Sequence, residues 1–254
     1  MIRALLIRGM LAGAVAGLLA FAFAHYWGEP EIEYAIGLEE QMAQAAHAQQ
    51  HAAGTAREHE GAAPEHEEEL VSRSVQSTAG LLTAVVVYGA GIGGLFAIAF
   101  AFAYGRIGQF GPGATAALLA VGGFISIALV PFLKYPANPP SVGSPETLGS
   151  RTALFLVLVA ISIIALVVAV ELARRMASRF GTWGSVAIGA AAFVVIIAVA
   201  QFLLPDVREV PQGFAADMLW RFRMASLIMQ LLMWATLGAV FSLLAVSLLK
   251  QDAR

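Results

Sequence analysis

The sequence predicts an all-α integral membrane protein: a bundle of six transmembrane helices, five if the first is cleaved, with both termini inside. Three observations carry this. First, the 254 residues are 59% hydrophobic and only 13% charged, whereas a soluble domain runs about 45–50% apolar and about 25% charged. Second, six uncharged apolar runs of 19 residues or more lie at 9–28, 74–105, 107–133, 152–170, 180–205 and 224–249. A spanning helix needs roughly 20 such residues to cross a hydrocarbon core about 30 Å thick. Third, none of the two-residue alternation of a barrel strand is visible, for example over Ala114–Val130. The chain therefore reads as one membrane domain over 1–254, with spans near 4–26, 79–104, 114–133, 152–171, 184–204 and 224–249. Outer loops fall at 28–78, 134–151 and 205–223.

The first span admits two readings. Arg3 and Arg8, an apolar stretch and Ala22-Phe23-Ala24 have the order of a signal peptide with a small-residue cleavage site. Retention is the expectation, for two reasons. Tyr26-Trp27 supplies an interfacial anchor. Gly9, Gly13 and Gly17 recur every four residues, a close-packing face that a discarded peptide has no use for.

Basic residues orient the remaining spans. Arg3, Arg8, Arg106, Arg174, Arg175, Arg179, Lys250 and Arg254 crowd short inner segments, while seven others are spread over longer outer loops. That density favours N-in and C-in.

The first outer loop departs from the rest of the chain. It holds eleven of the seventeen acids against Arg57 and Arg73, a formal charge of −9, and the rest of the chain is +7. All five histidines, His25, His47, His51, His59 and His66, lie between residues 25 and 66. Imidazole suits Co²⁺, Ni²⁺, Zn²⁺ and Cu²⁺, and carboxylates add hard oxygen ligands. Leu38–Ala53, rich in Ala, Gln and Glu, favours helix. There His47 and His51 stand at i and i+4 on one face, with Glu40 on the same stripe seven residues before His47. Two readings follow: a weak, exchangeable metal collector, or a solvated acidic linker whose histidines are incidental.

Pro131–Pro145 holds five of the ten prolines, including Pro136, Pro139 and Pro140, with Lys134, Tyr135 and Asn138 among them. Proline fixes φ and turns the preceding residue away from helix, so this segment is a stiff, extended cap. The third outer loop closes on Asp217, Trp220, Arg221 and Arg223. Asp217 and Arg221 are spaced for a helical ion pair, and Trp220 suits the headgroup level. Arginines on the outer side run against the positive-inside tendency.

Within the spans the polar inventory is thin: Tyr88, Ser126, Ser162, Gln201 and Gln230, with no ionisable group mid-span of the kind pumps carry. Gly89, Gly91 and Gly94 match a dinucleotide fingerprint, but no strand precedes them, so they read as helix-packing glycines. Met229 and Met233 read as packing. The only lysines, Lys134 and Lys250, follow no glycine, which excludes a P-loop; no nucleophile or metal triad sits in the spans, so no enzymatic role is expected. Nor is any resident cofactor or nucleic-acid partner.

Pro131-Phe-Leu-Lys-Tyr-Pro-Ala-Asn-Pro-Pro-Ser-Val-Gly143, then Arg151-Thr152, and later Leu219-Trp-Arg-Phe-Arg-Met-Ala-Ser-Leu227 with Gln230, resemble the CbtA family of probable cobalt transporter A subunits. The resemblance extends over most of the chain. It implies cobalt uptake across a bacterial inner membrane beside a small one-span partner, CbtB-like, with a His-containing metal-binding end. Such proteins are usually ascribed five spans, one fewer than the six read here. The expectation is a membrane subunit in which the acidic loop gathers Co²⁺ and the helices form its path. Lys134, Arg221 and Arg223, which repel cations, are expected to fix loop geometry or pair with Asp206, Glu209 or Asp217. The alternatives are a non-transporting sensing or scaffold subunit, or a nickel or zinc transporter.

Overall fold

The computed structural model describes residues 2–52, 72–140, 142–143, 145–207, 209–210 and 214–252. Its regular structure there is entirely helical. The helices are α1 (Ile2–Phe23), α2 (Glu29–Ala52), α3 (Arg73–Val75), α4 (Leu81–Ala103), α5 (Pro112–Gly123), α6 (Val130–Lys134), α7 (Leu148–Leu203) and α8 (Ala216–Asp252). Among the described residues five continuous helical stretches are long and apolar enough to cross a membrane: Ile2–Leu38, Arg73–Ala103, Pro112–Lys134, Leu148–Leu203 and Ala216–Leu249. The protein is a multi-pass membrane protein.

Three of these stretches contain a single π-helical turn, at Ala24–Gly28, Gln76–Gly80 and Phe124–Leu129. Two have a local cause. Pro30 and Pro131 follow the first and third turns directly, and a proline ring collides with the carbonyl four residues before it in a regular α-helix. Widening the preceding turn moves that carbonyl aside, so the helix bends and continues. The expected end of the first span near residue 26 is thus no end: α1 runs through the widened turn into α2.

Side-chain size fixes how the bundle packs. Gly9, Gly13 and Gly17 of α1 lie on Gly93, Gly89 and Val85 of α4. A Cβ on Gly17 would stand 2.7 Å from the Val85 carbonyl oxygen, and those on Gly9 and Gly13 would fall inside the carbonyls opposite. With no hydrophobic force between helices in lipid, such backbone approach is what holds two of them together. The same face buries Ala12, Ala16 and Ala20 beside Phe96, Phe100, Trp234, Leu237 and Phe241 of α4 and α8. Phe241 meets the edges of Phe96 and Phe100 with centroids 5.2 and 5.1 Å apart. At the other end of α1, Arg8 donates to the Leu244 carbonyl at 2.6 Å, tying α1 to α8.

Helix α7 corrects the expected boundaries between the fourth and fifth spans. The separate helices read at 152–171 and 184–204 are both present as two arms that meet at Gly181, whose φ of +68° is the one non-helical backbone within α7. Residues 171–180 are strong helix formers, and Glu171 bonds Arg174 and Arg175 one turn on, so nothing there breaks the helix. Gly181 alone reverses it. The second arm folds back on the first, where Gly189 abuts the Ala169 carbonyl and Ala173. Leu158 and Ala165 share a small core with Ile197 and Ala200.

Candidate functional site

The end of the bundle that carries the Pro-rich segment is held by polar bonds between residues far apart in sequence. Lys134, at the last turn of α6, donates to the Gln201 carbonyl at 2.7 Å and pairs with Asp206 at 2.7 Å. Its side chain is only 9% exposed, so the charge is largely out of water and two oxygens are needed to hold it. Tyr135 gives its hydroxyl proton to the Pro205 carbonyl at 2.8 Å. Burial is the main cause that pushes its phenol above the ordinary range, with Asp206 adding to it and Lys134 opposing. The phenol is therefore a neutral donor throughout the physiological range.

Arg151, in the first turns of α7, pairs with Glu209 at 2.7 Å. Gly143, at φ +118°, closes over this pair: a Cβ there would stand 2.5 Å from an Arg151 nitrogen and 3.0 Å from Glu209 Oε2. Arg223, at the start of α8, donates to the Ala137 carbonyl at 3.3 Å and to Asn138 Oδ1 at 2.8 Å. Lys134 and Tyr135 thus tie the segment Lys134–Asn138 to the end of α7 and the residues just after it, and Arg223 ties it to α8.

Two cavities flank that segment. The shallower, about 490 Å³, is lined by Lys134, Tyr135, Asn138, Arg151, Glu209 and Arg223, with Leu133 and Val210 at its sides. The deeper, about 450 Å³, lies one to two helical turns further in and is mostly apolar. Tyr88, Ser226, Met229 and Gln230 supply its polar and soft groups, below Thr152 and Arg151. Tyr135, Pro136, Asn138 and Arg151 border both cavities, so the pinned segment is the partition between them.

The structure brings together Lys134, Tyr135, Pro136, Asn138 and Arg223, and beneath them Tyr88 and Gln230. Pro139 is buried and accepts from the Val142 amide at 3.2 Å; Pro140 is exposed. Gln201 lines neither cavity and instead donates to the Val130 carbonyl at 3.4 Å. Asp217 and Arg221 meet at 3.4 Å, and Arg221 also lies 3.5 Å from Glu31 of α2; Trp220 is exposed one residue away.

Among the described residues the candidate metal ligands are not gathered. His25 sits in the first π turn, its Nδ1 3.0 Å from the Ser77 carbonyl of the second, so that nitrogen carries the proton. Glu29 pairs with Arg73 beside it. Glu40 is exposed on α2. His47 and His51 lie one turn apart on the same helix, their side chains outside the described positions, and His59 and His66 lie outside the described residues. Among the described residues no three His, Asp or Glu side chains converge as a metal cluster.

Of the site residues, Arg151 entered the sequence reading only through the family motif, Glu209 only as a candidate ion-pair partner and Met229 only as packing, and Ser226 only within the family motif. Arg151 carried one usable signal, a basic residue at the outer end of a span. Glu209 was expected to pair with Lys134, Arg221 or Arg223, and its actual partner, Arg151, lies 58 positions away.

A family model described as "Probable cobalt transporter subunit (CbtA)" matches residues 2–246, nearly the whole chain. No curated protein and no solved structure matches it.

Proposed function

The chain belongs to the CbtA family of probable cobalt transporter subunits, and from that premise we propose that it is the membrane subunit of a Co²⁺ uptake system in a bacterial inner membrane. The observation that carries this reading is the deeper cavity, where Tyr88, Ser226, Met229 and Gln230 converge among apolar walls beneath the pinned segment. Neutral oxygen donors and a thioether suit a cation in transit, held well enough to enter and weakly enough to leave.

In this reading the helices cross the membrane six times. The two arms of α7 on either side of Gly181 each exceed the roughly 20 residues a crossing needs. The first span is retained in this reading, because its glycine face is buried against α4. The −9 segment at 28–78 concentrates divalent cations at the outer face. His47, His51, His59 and His66, with His25 and Glu40 nearer the bundle, are its candidate ligands. An inside-negative potential then contributes about 2.3 kcal/mol per charge per 100 mV. The partner is a small CbtB-like one-span subunit.

One observation favours a second reading, a non-transporting metal-binding or scaffold subunit. The shallower cavity, on the direct route to the deeper one, is lined by three basic side chains and one acid. Cobalt accumulation separates the readings. It is measured in cells lacking other importers that carry the chain alone, the chain with its partner, or neither. Transport predicts accumulation that requires this chain and falls with Gln230→Leu; accumulation by the partner alone establishes the scaffold reading. The same assay in the presence of Ni²⁺ or Zn²⁺ ranks the three ions, which N and O donors accept alike.

A further inference from the structure

We propose that the shallower cavity is an oxyanion site that takes a phosphate group, with Arg223 as its charged anchor. Three basic side chains line this cavity, and they are not equally compensated. Lys134 has Asp206, and Arg151 has Glu209. Among the described residues Arg223 has no carboxylate; its two bonds go to neutral oxygens, the Ala137 carbonyl and Asn138 Oδ1. A guanidinium has five N–H donors in a fixed plane, so three remain, and the two bonds already made hold that plane in place. The Lys134 ammonium has one donor left after Gln201 and Asp206.

A second cation is disfavoured in this cavity. Among the described residues its one acid, Glu209, is committed to Arg151 through Oε2. The other oxygen of that carboxylate, Oε1, is buried without a donor and would repel an anion. The phosphate therefore sits on the Arg223 and Lys134 side. The volume, about 490 Å³, lies in the range of small-ligand pockets. Leu133 and Val210, both exposed and apolar, stand next to these cations where the helices end. That juxtaposition of cation and apolar surface fits the phosphate of an anionic phospholipid; free phosphate offers the same chemistry without the apolar part.

The test uses the purified full-length chain, read by thermal unfolding and by native mass spectrometry. Phosphatidylglycerol, phosphatidylcholine or inorganic phosphate is added to the wild type and to Arg223→Gln. Phosphatidylglycerol is expected to raise the melting temperature and to remain bound as one molecule, phosphatidylcholine to do neither, and R223Q to lose both effects. The same Arg223-dependent gain from inorganic phosphate establishes the site with a soluble occupant. If R223Q does not fold, Arg223→Lys carries the test. Losing the fork costs one or more charge-assisted bonds, so binding should weaken roughly tenfold. Binding that is unchanged in R223K, or a stabilisation that ignores Arg223, overturns the assignment. None of these readouts involves cobalt, so the site stands or falls separately from the transport reading.

Discussion

Glycines that look alike in the sequence have opposite roles in the bundle. Gly13 lies against the Gly89 carbonyl, with no room for a Cβ, whereas Gly91, two residues from Gly89, has nothing within 4 Å of where its Cβ would be. Gly13→Ala must push α1 off α4 and should destabilise by about 1–3 kcal/mol, the usual cost of overpacking. Gly91→Ala should be neutral or gain about 0.5–1 kcal/mol from helix propensity. Thermal unfolding in one detergent compares the two directly, and equal effects would mean the two helices do not meet as described. The Arg151–Glu209 pair makes a second test at this scale. Both side chains are substantially buried, at 25% and 12% exposed, so Glu209→Gln leaves a guanidinium without its counter-charge and should cost about 1–3 kcal/mol. Arg151→Gln in the E209Q background should cost less than the two single losses added together. Additive losses would show that the pair is not coupled.

The elements divide into those a charge map reveals and those only the folded chain reveals. Runs without Asp, Glu, Lys or Arg located the apolar core of every long helix, because burying a charge in lipid is costly enough to mark the sequence. The helical register of Asp217 and Arg221 was readable for the same local reason. Other features were not. The first and third π turns depend on Pro30 and Pro131 being carried inside a helix, where a proline more commonly marks an end. Arg223 finds Asn138 across 85 positions, a distance at which no periodicity operates, whereas Asp206, 72 positions from Lys134, was readable only as one of three acids it could pair with. The acidic and histidine-rich composition of 28–78 was legible as composition alone, since it names ligand types without bringing them together. The reversal between the spans read at 152–171 and 184–204 was legible, but not its position at Gly181, because a lone glycine between two helical stretches does not reveal the sign of its φ. At +68° that residue is left-handed, so Gly181→Ala should cost about 1–2 kcal/mol. Gly181→Asn should cost less, since asparagine tolerates the left-handed region. Unfolding midpoints ranked Gly, Asn, Ala would support the turn, and indifference to all three would remove it.

At the scale of the whole molecule, a formal charge of −2 conceals a −9 segment at 28–78 and a +7 remainder. Cations drawn by the first would meet Arg151, Arg223 and Lys134 at the mouth of the bundle. A bound phosphate would neutralise that collar and ease passage to the deeper cavity, so the proposed oxyanion site and the proposed path are compatible in charge. Both depend on which side of the membrane this mouth faces. The chain has no cysteine, so a single introduced thiol reports its own side without interference. Glu33 is exposed just beyond the first π turn, and Trp183 is exposed beside the reversal at Gly181. Six crossings with the N-terminus inside require Glu33→Cys to react with a membrane-impermeant maleimide on intact cells. Trp183→Cys should react only after permeabilisation. A tag preceding Met1 that stays on the full-length chain would establish that the first span is retained. Labelling of both thiols from outside would mean that α7 does not return across the bilayer, and the pinned segment would then no longer be an entrance.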